Sequence, residues 1–151
     1  MSYLASIEIE SGEHLFIRNR DGHLRGGALA ELIIEVETYC LASSHQESDE
    51  QVAWFSLLSQ HTGQSVCELL KPVLKAWYAD AGIGGGSNTD WGDAEQVLKS
   101  ITEFKNALRA AAMPATSWYW PQKTETDLQL FLQTLASAIA SGVTRVRIVV
   151  G

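Results

Sequence analysis

The chain has little cysteine, few prolines and no long apolar run. Its 151 residues include two cysteines, Cys40 and Cys67. Both lie inside apolar helical patterns with no metal-ligand spacing around them, so a disulfide framework is not expected and the thiols read as small, inert hydrophobes. That makes cytoplasm the expected compartment. The longest apolar runs, such as Leu32-Ile33-Ile34, fall far short of the ~18 residues that span a bilayer. The N-terminus carries no basic segment and meets acid at Glu8, so no signal peptide is expected. The histidines (His14, His23, His45, His61) are scattered, and Asp80, Asp90 and Asp93 lack the alternating oxygen ligands of a calcium loop. No metal is therefore expected. No G-x-S-x-G elbow is present, and paired carboxylates such as Glu8 and Glu10 read as solvated on the outer side of a strand. No catalytic residue and no cofactor is assigned.

Glycine is concentrated instead. Gly82, Gly84, Gly85 and Gly86 lead through Ser87-Asn88-Thr89-Asp90-Trp91 into the clearest helical pattern in the chain. A glycine-rich loop before a helix is a common phosphate cradle. A P-loop, however, needs Lys and then Ser or Thr after the last glycine, and Ser87-Asn88 stands there. A dinucleotide fingerprint needs a preceding strand, whereas the residues before Gly82 read as helix. Asp90, Asp93 and Glu95 put negative charge where an anion would sit. The loop over 82–90 reads as an interhelical connection that delivers Trp91 to a helix start.

Charge is also concentrated. The net charge is −7, and residues 1–50 supply all of it with ten acids against three bases, while the remainder balances. Such a field repels nucleic acid and anionic membrane and steers basic partners. Glu31 and Glu35 lie four apart on one helical stripe with no base to pair with. Glu47, Asp49 and Glu50 follow in the next connector.

The periodicity predicts one α+β domain. Residues 3–10 alternate as a half-buried strand, with Ile7 and Ile9 inward, and Leu15–Ile17 completes a hairpin. A helix is expected over 28–42. A second follows a capping box at Ser48–Gln51, with Val52, Phe55 and Leu58 inward and Trp54 and Leu57 widening the stripe, so that it is buried on two sides. A third helix over 66–81 carries Pro72, which predicts a kink or a break. A fourth runs from about Ala94, capped by Asp90 or Asp93. Residues 116–120 alternate as a short strand ended by Pro121. Thr124-x-x-Asp127 opens a last helix to Ser141, and 143–150 is a strand with Val146, Ile148 and Val150 on the core face. A strand–helix–strand crossover at the end would make two strands parallel. The expectation is a small mixed sheet of about four strands against about five helices.

Five tryptophans are many for this length. Trp54 and Trp77 sit in core-like patterns. Trp91, Trp118 and Trp120 are candidates to anchor a partner, because large aromatics dominate interface energetics. The stretch Gly86-Ser87-Asn88-Thr89-Asp90-Trp91-Gly92-Asp93-Ala94-Glu95-Gln96-Val97-Leu98-Lys99-Ser100-Ile101, with Glu103-Phe104 and the tryptophan-rich segment after it, resembles the build of small acidic immunity proteins of bacterial toxin–immunity systems. The resemblance implies a non-enzymatic bacterial protein that blocks a cognate toxin by binding it, acidic surface against basic toxin domain. The expected partner surface is Glu31, Glu35, Glu47, Asp49, Glu50, Trp91, Trp118 and Trp120. Two other readings belong to different classes. One is a small-molecule sensor or enzyme with a pocket beside the glycine loop. The other is an oligomer subunit pairing through an edge strand near Trp118–Trp120.

Overall fold

The computed structural model describes residues 4–41, 49–79 and 91–151. Its elements run β1 (Ala5–Ile9), β2 (His14–Phe16), α1 (Gly27–Leu41), α2 (Asp49–Thr62), α3 (Val66–Leu69), α4 (Lys71–Lys75), β3 (Trp77–Ala79), β4 (Gly92–Asp93), α5 (Ala94–Ala110), α6 (Pro121–Ala140) and β5 (Arg145–Val150). The fold is α+β, as expected, with six helices rather than about five among the described residues. The glycine loop, Ser48 and Glu47 lie outside the described residues.

The sheet is mixed and runs β2-β1-β5-β3, with β4 also beside β5. β1 pairs antiparallel with β2 and β5, while β3 pairs parallel with β5. The last strand in sequence is therefore central: Val146, Ile148 and Val150 are fully buried. Their alternation follows from the period-2 pleat. Ile7, Val146, Ile148 and Val150 join one hydrophobic cluster with Leu29 and Leu32 of α1, Phe104 of α5 and Phe131 of α6.

Four expectations are overturned. Residues 116–120 form no strand. Trp118 and Tyr119 are buried, Trp120 is the N-cap residue of α6, and Pro121 opens that helix instead of ending a strand. Proline suits the first helical turn because its missing N–H has no partner there anyway. The parallel partner of β5 is thus β3, within a stretch that reads as helix. Pro72 explains the break inside that stretch. It splits the expected helix into α3 and α4; α4 then ends at Ala76, after which Trp77 enters the sheet opposite Ile148. The break leaves the Leu69 carbonyl to the Ser100 hydroxyl of α5, at 2.9 Å.

The third correction concerns α2. Gln51, Trp54, Phe55 and Leu58 form its buried face. Val52 and Leu57 are each 38% exposed, so α2 is buried on one side only.

The cysteines are also corrected. Cys40 of α1 and Cys67 of α3 form a disulfide, with Cα atoms 5.6 Å apart and 27 residues between them in sequence. Disulfides persist in oxidising compartments and are rare in the cytosol, so the ground for expecting a cytoplasmic location is gone. Among the described residues no helix is long and apolar enough to cross a membrane.

Candidate partner-binding surface

Four acids of the first third lie on α1 and at the start of α2, which Gln51 ties to α1. Glu31 and Glu35 are one helical turn apart on α1 and both are half-buried. The Gln51 side-chain amide donates to Glu35 Oε1 at 2.8 Å, tying the start of α2 to α1. Burial raises the Glu35 carboxyl above its ordinary range, the Gln51 amide lowers it again in part, and the nearby Glu31 charge raises it further. Asp49 and Glu50 stand exposed in the first turn of α2, where the helix dipole favours acids. Four of the eight expected residues therefore share one corner. Glu37, which sequence reasoning passed over, is also on α1 and is only 3% exposed.

α2 supplies more than charge. At 100° per residue, Val52, Ala53, Ser56 and Leu57 fall with Asp49 on the side away from Trp54 and Leu58. Its outer face thus carries two large apolar side chains beside two acids. The inner face is pinned by aromatics. Trp54 packs edge-on against Phe55 and Trp118, with centroids 5.0 and 6.1 Å away, and tilts against Tyr119 at 5.3 Å. Its indole N–H donates to the Pro114 carbonyl at 3.0 Å. Tyr39 of α1 stacks on Phe55 at 4.5 Å. Trp118 is therefore part of this packing and offers no free surface. Trp120, next after Tyr119, is 38% exposed.

Trp91 lies elsewhere. On the sheet face opposite the core, the guanidinium of Arg147 sits 4.1 Å from the Trp91 ring centroid. Arg147 also reaches Glu8 at 3.4 Å, and Glu8 faces His14 at 3.7 Å. Trp91 thus ends a polar ladder on the far side of the sheet from α1 and is not brought to the acidic corner. Beside it, an open cleft of about 490 Å³ is lined by Pro72, Lys75, Trp91, Gly92, Asp93, Gln96 and Arg145. Asp93 is committed to capping α5 through Gln96 N–H at 3.0 Å. Both charge signs line the cleft, and no nucleophile–base pair converges there. Among the described residues no group of three or more His, Cys, Asp or Glu could hold a metal ion.

What holds the acidic corner was missed from sequence. The buried Asp127 of α6 accepts from the backbone N–H groups of Ala28 and Leu29 at 2.9 and 3.2 Å and from Arg25 Nε at 3.2 Å. It caps α1 from about a hundred residues away instead of opening its own helix. The only hint in the sequence is an acid next to Leu128 inside the helical pattern.

Neither a scan against protein-family models nor searches of curated proteins and of solved structures return a match to this chain.

Proposed function

We propose that this chain is a non-enzymatic protein-binding domain that docks a basic partner on the α1–α2 corner, as an immunity protein docks a toxin domain. The observation that carries this reading is the outer face of α2. Val52 and Leu57 are exposed there beside Asp49 and Glu50, with Glu31 and Glu35 on the adjoining helix. Apolar anchors flanked by charge of one sign combine dehydration at the centre with steering at the rim. Trp120 is a further exposed aromatic at this end of the packing.

The test is charge reversal. With a captured partner, Glu31→Lys with Glu35→Lys should slow association about tenfold or more at low salt, and the difference should shrink as salt rises. Leu57→Ser should instead raise the dissociation rate. Unchanged association at low salt would remove the corner from the interface.

A second reading rests on β2. This edge strand is three residues long and exposes Phe16 at 48%, and Leu24 just beyond it is 45% exposed. Open edges template pairing between chains, so the oligomer alternative moves from Trp118–Trp120 to β2. Light scattering separates the two readings, since a strict monomer removes self-association.

A further inference from the structure

β2 is an open edge of the sheet, and its ladder shows which groups it leaves free. Ile9 N–H donates to the Glu13 carbonyl at 3.0 Å, and Ile7 stands opposite Leu15. Bonded and non-bonded pairs alternate in an antiparallel ladder, so Leu15 bonds inward to Ile7, while the backbone N–H and C=O groups of His14 and Phe16 point away from β1. Among the described residues no strand lies on that side. Natural edges are commonly blunted by lysine, proline or a bulge. β2 carries none of these, and its Phe16 is exposed.

The side chains divide by the period-2 pleat. His14 and Phe16 stack on the outer face, with ring centroids 6.2 Å apart. Glu13 and Leu15 share the other face, beside an open groove of about 530 Å³ between β2 and α6. Ile9, Leu15, Ala138 and Val143 supply its apolar lining, and Glu13 its charge. A smaller adjoining cleft holds Glu10. Among the described residues no lysine, arginine or histidine lines either one.

We propose that β2 takes up an extended segment of a basic protein as a further antiparallel strand. The added backbone bonds to His14 and Phe16. An apolar side chain opposite Leu15 enters the groove, and a lysine or arginine two residues on faces Glu13. Strand addition draws affinity from main-chain bonds and specificity from alternate side chains. Charge selects this occupant, since Glu13 and Glu10 stand at the groove with no base in its lining. A second copy of this chain is the poorer fit. β2 paired with itself about Leu15 sets Glu13 opposite the apolar Ile17 and joins two chains of net charge −7. The inference goes beyond the α1–α2 reading and does not depend on it.

The probe is the peptide acetyl-Thr-Thr-Val-Thr-Lys-Thr-Thr-amide, titrated into the full chain and followed by amide NMR. The His14 and Phe16 signals should shift and saturate. Glutamate in place of the peptide's lysine should weaken binding about tenfold at low salt, and less as salt rises. Glu13→Lys, an exposed position, should reverse the order of the two peptides. N-methylation of the threonine between valine and lysine removes the donor to the His14 carbonyl and should weaken binding about tenfold or more. No saturable shift at millimolar peptide, or equal affinity for the lysine and glutamate peptides, would overturn the proposal. So would a dimer by light scattering whose His14 and Phe16 amides are protected from exchange without peptide, because the edge would then belong to a second copy. Charge reversal on α1 tests the corner separately, so either reading can fail without the other.

Discussion

Replacing Asp127 with alanine should cost the fold about 3–5 kcal/mol, the range for stranding the partners of a buried, hydrogen-bonded charge. Asp127 is 1% exposed. Its Oδ2 accepts from both Ala28 and Leu29 N–H groups, and its Oδ1 from Arg25 Nε. Alanine would leave two N–H groups at the start of α1 without their acceptor. It would also leave Arg25, whose side chain is 32% exposed, to turn to water. The backbone donors dominate, because they cannot move while α1 stays packed. Asparagine separates charge from shape. It keeps one oxygen for the helix start and loses the dipole and guanidinium attraction, so it should cost about 1–2 kcal/mol.

The assay is urea unfolding followed by far-UV circular dichroism, with the loss read from the midpoint at unchanged slope. At about 2–4 °C per kcal/mol for a chain of this size, the alanine variant should melt roughly 6–20 °C lower. Adding Arg25→Ala to the alanine variant should change little, within about 0.5 kcal/mol, because the interaction is already gone. An alanine variant within about 1 kcal/mol of wild type would refute the view that α6 caps α1.

Three further outcomes are expected. Gly92→Ala should destabilise by about 1–3 kcal/mol, because the added Cβ would meet the Ala76 Cβ at 2.6 Å; Ala76→Gly in the same chain should recover part of the loss in urea titrations. Arg147→Met should lose about 1 kcal/mol and shift Trp91 emission, and should cost less in a Trp91→Phe background; full additivity would show that the stacked guanidinium contributes nothing. For Glu35, burial raises the folded carboxyl above its ordinary value of 4.5, so the folded chain holds more protons than the unfolded one and stability falls as pH rises from there toward the folded value. Glu35→Gln should therefore gain on wild type as pH climbs from 4.5 toward neutrality, measured by unfolding midpoints across that window, and a constant difference would refute the assignment.

Local signals were legible where one principle acted alone. The alternation of Ile7 and Ile9, and of Val146, Ile148 and Val150, located two strands. Ser65 and Asp93 cap the helices they precede, through Cys67 N–H and Gln96 N–H. The failures came where distant parts of the chain decide. Val66, Leu69, Leu70, Val73 and Trp77 fit a helical stripe, but Pro72 breaks it in two and β5 offers Trp77 a strand partner. Trp118-Tyr119-Trp120 alternates like a strand, but Trp54 gathers Trp118 and Tyr119 into an aromatic cluster. Sheet pairing, remote capping by Asp127 and the approach of Cys40 to Cys67 are all long-range, and spacing in the chain carries no record of them. Of the candidate surface, the acids on α1 and α2 were legible as unpaired like charges, whereas the separation of Trp91 by the sheet was not.

α2 joins these observations. A helix with apolar residues around most of its circumference has two physical explanations: two buried sides, or one buried side and one that meets a partner. Sequence alone favours the first, since burial is the commoner fate of Val and Leu. With Trp54, Phe55 and Leu58 inward, the core has no further use for Val52 and Leu57. A helix that leaves two large apolar side chains in water gives up burial that would have helped fix it to the domain. A helix anchored on one side by Trp54, Phe55 and Leu58 and carrying apolar and acidic groups on the other has the arrangement that the docking proposal requires.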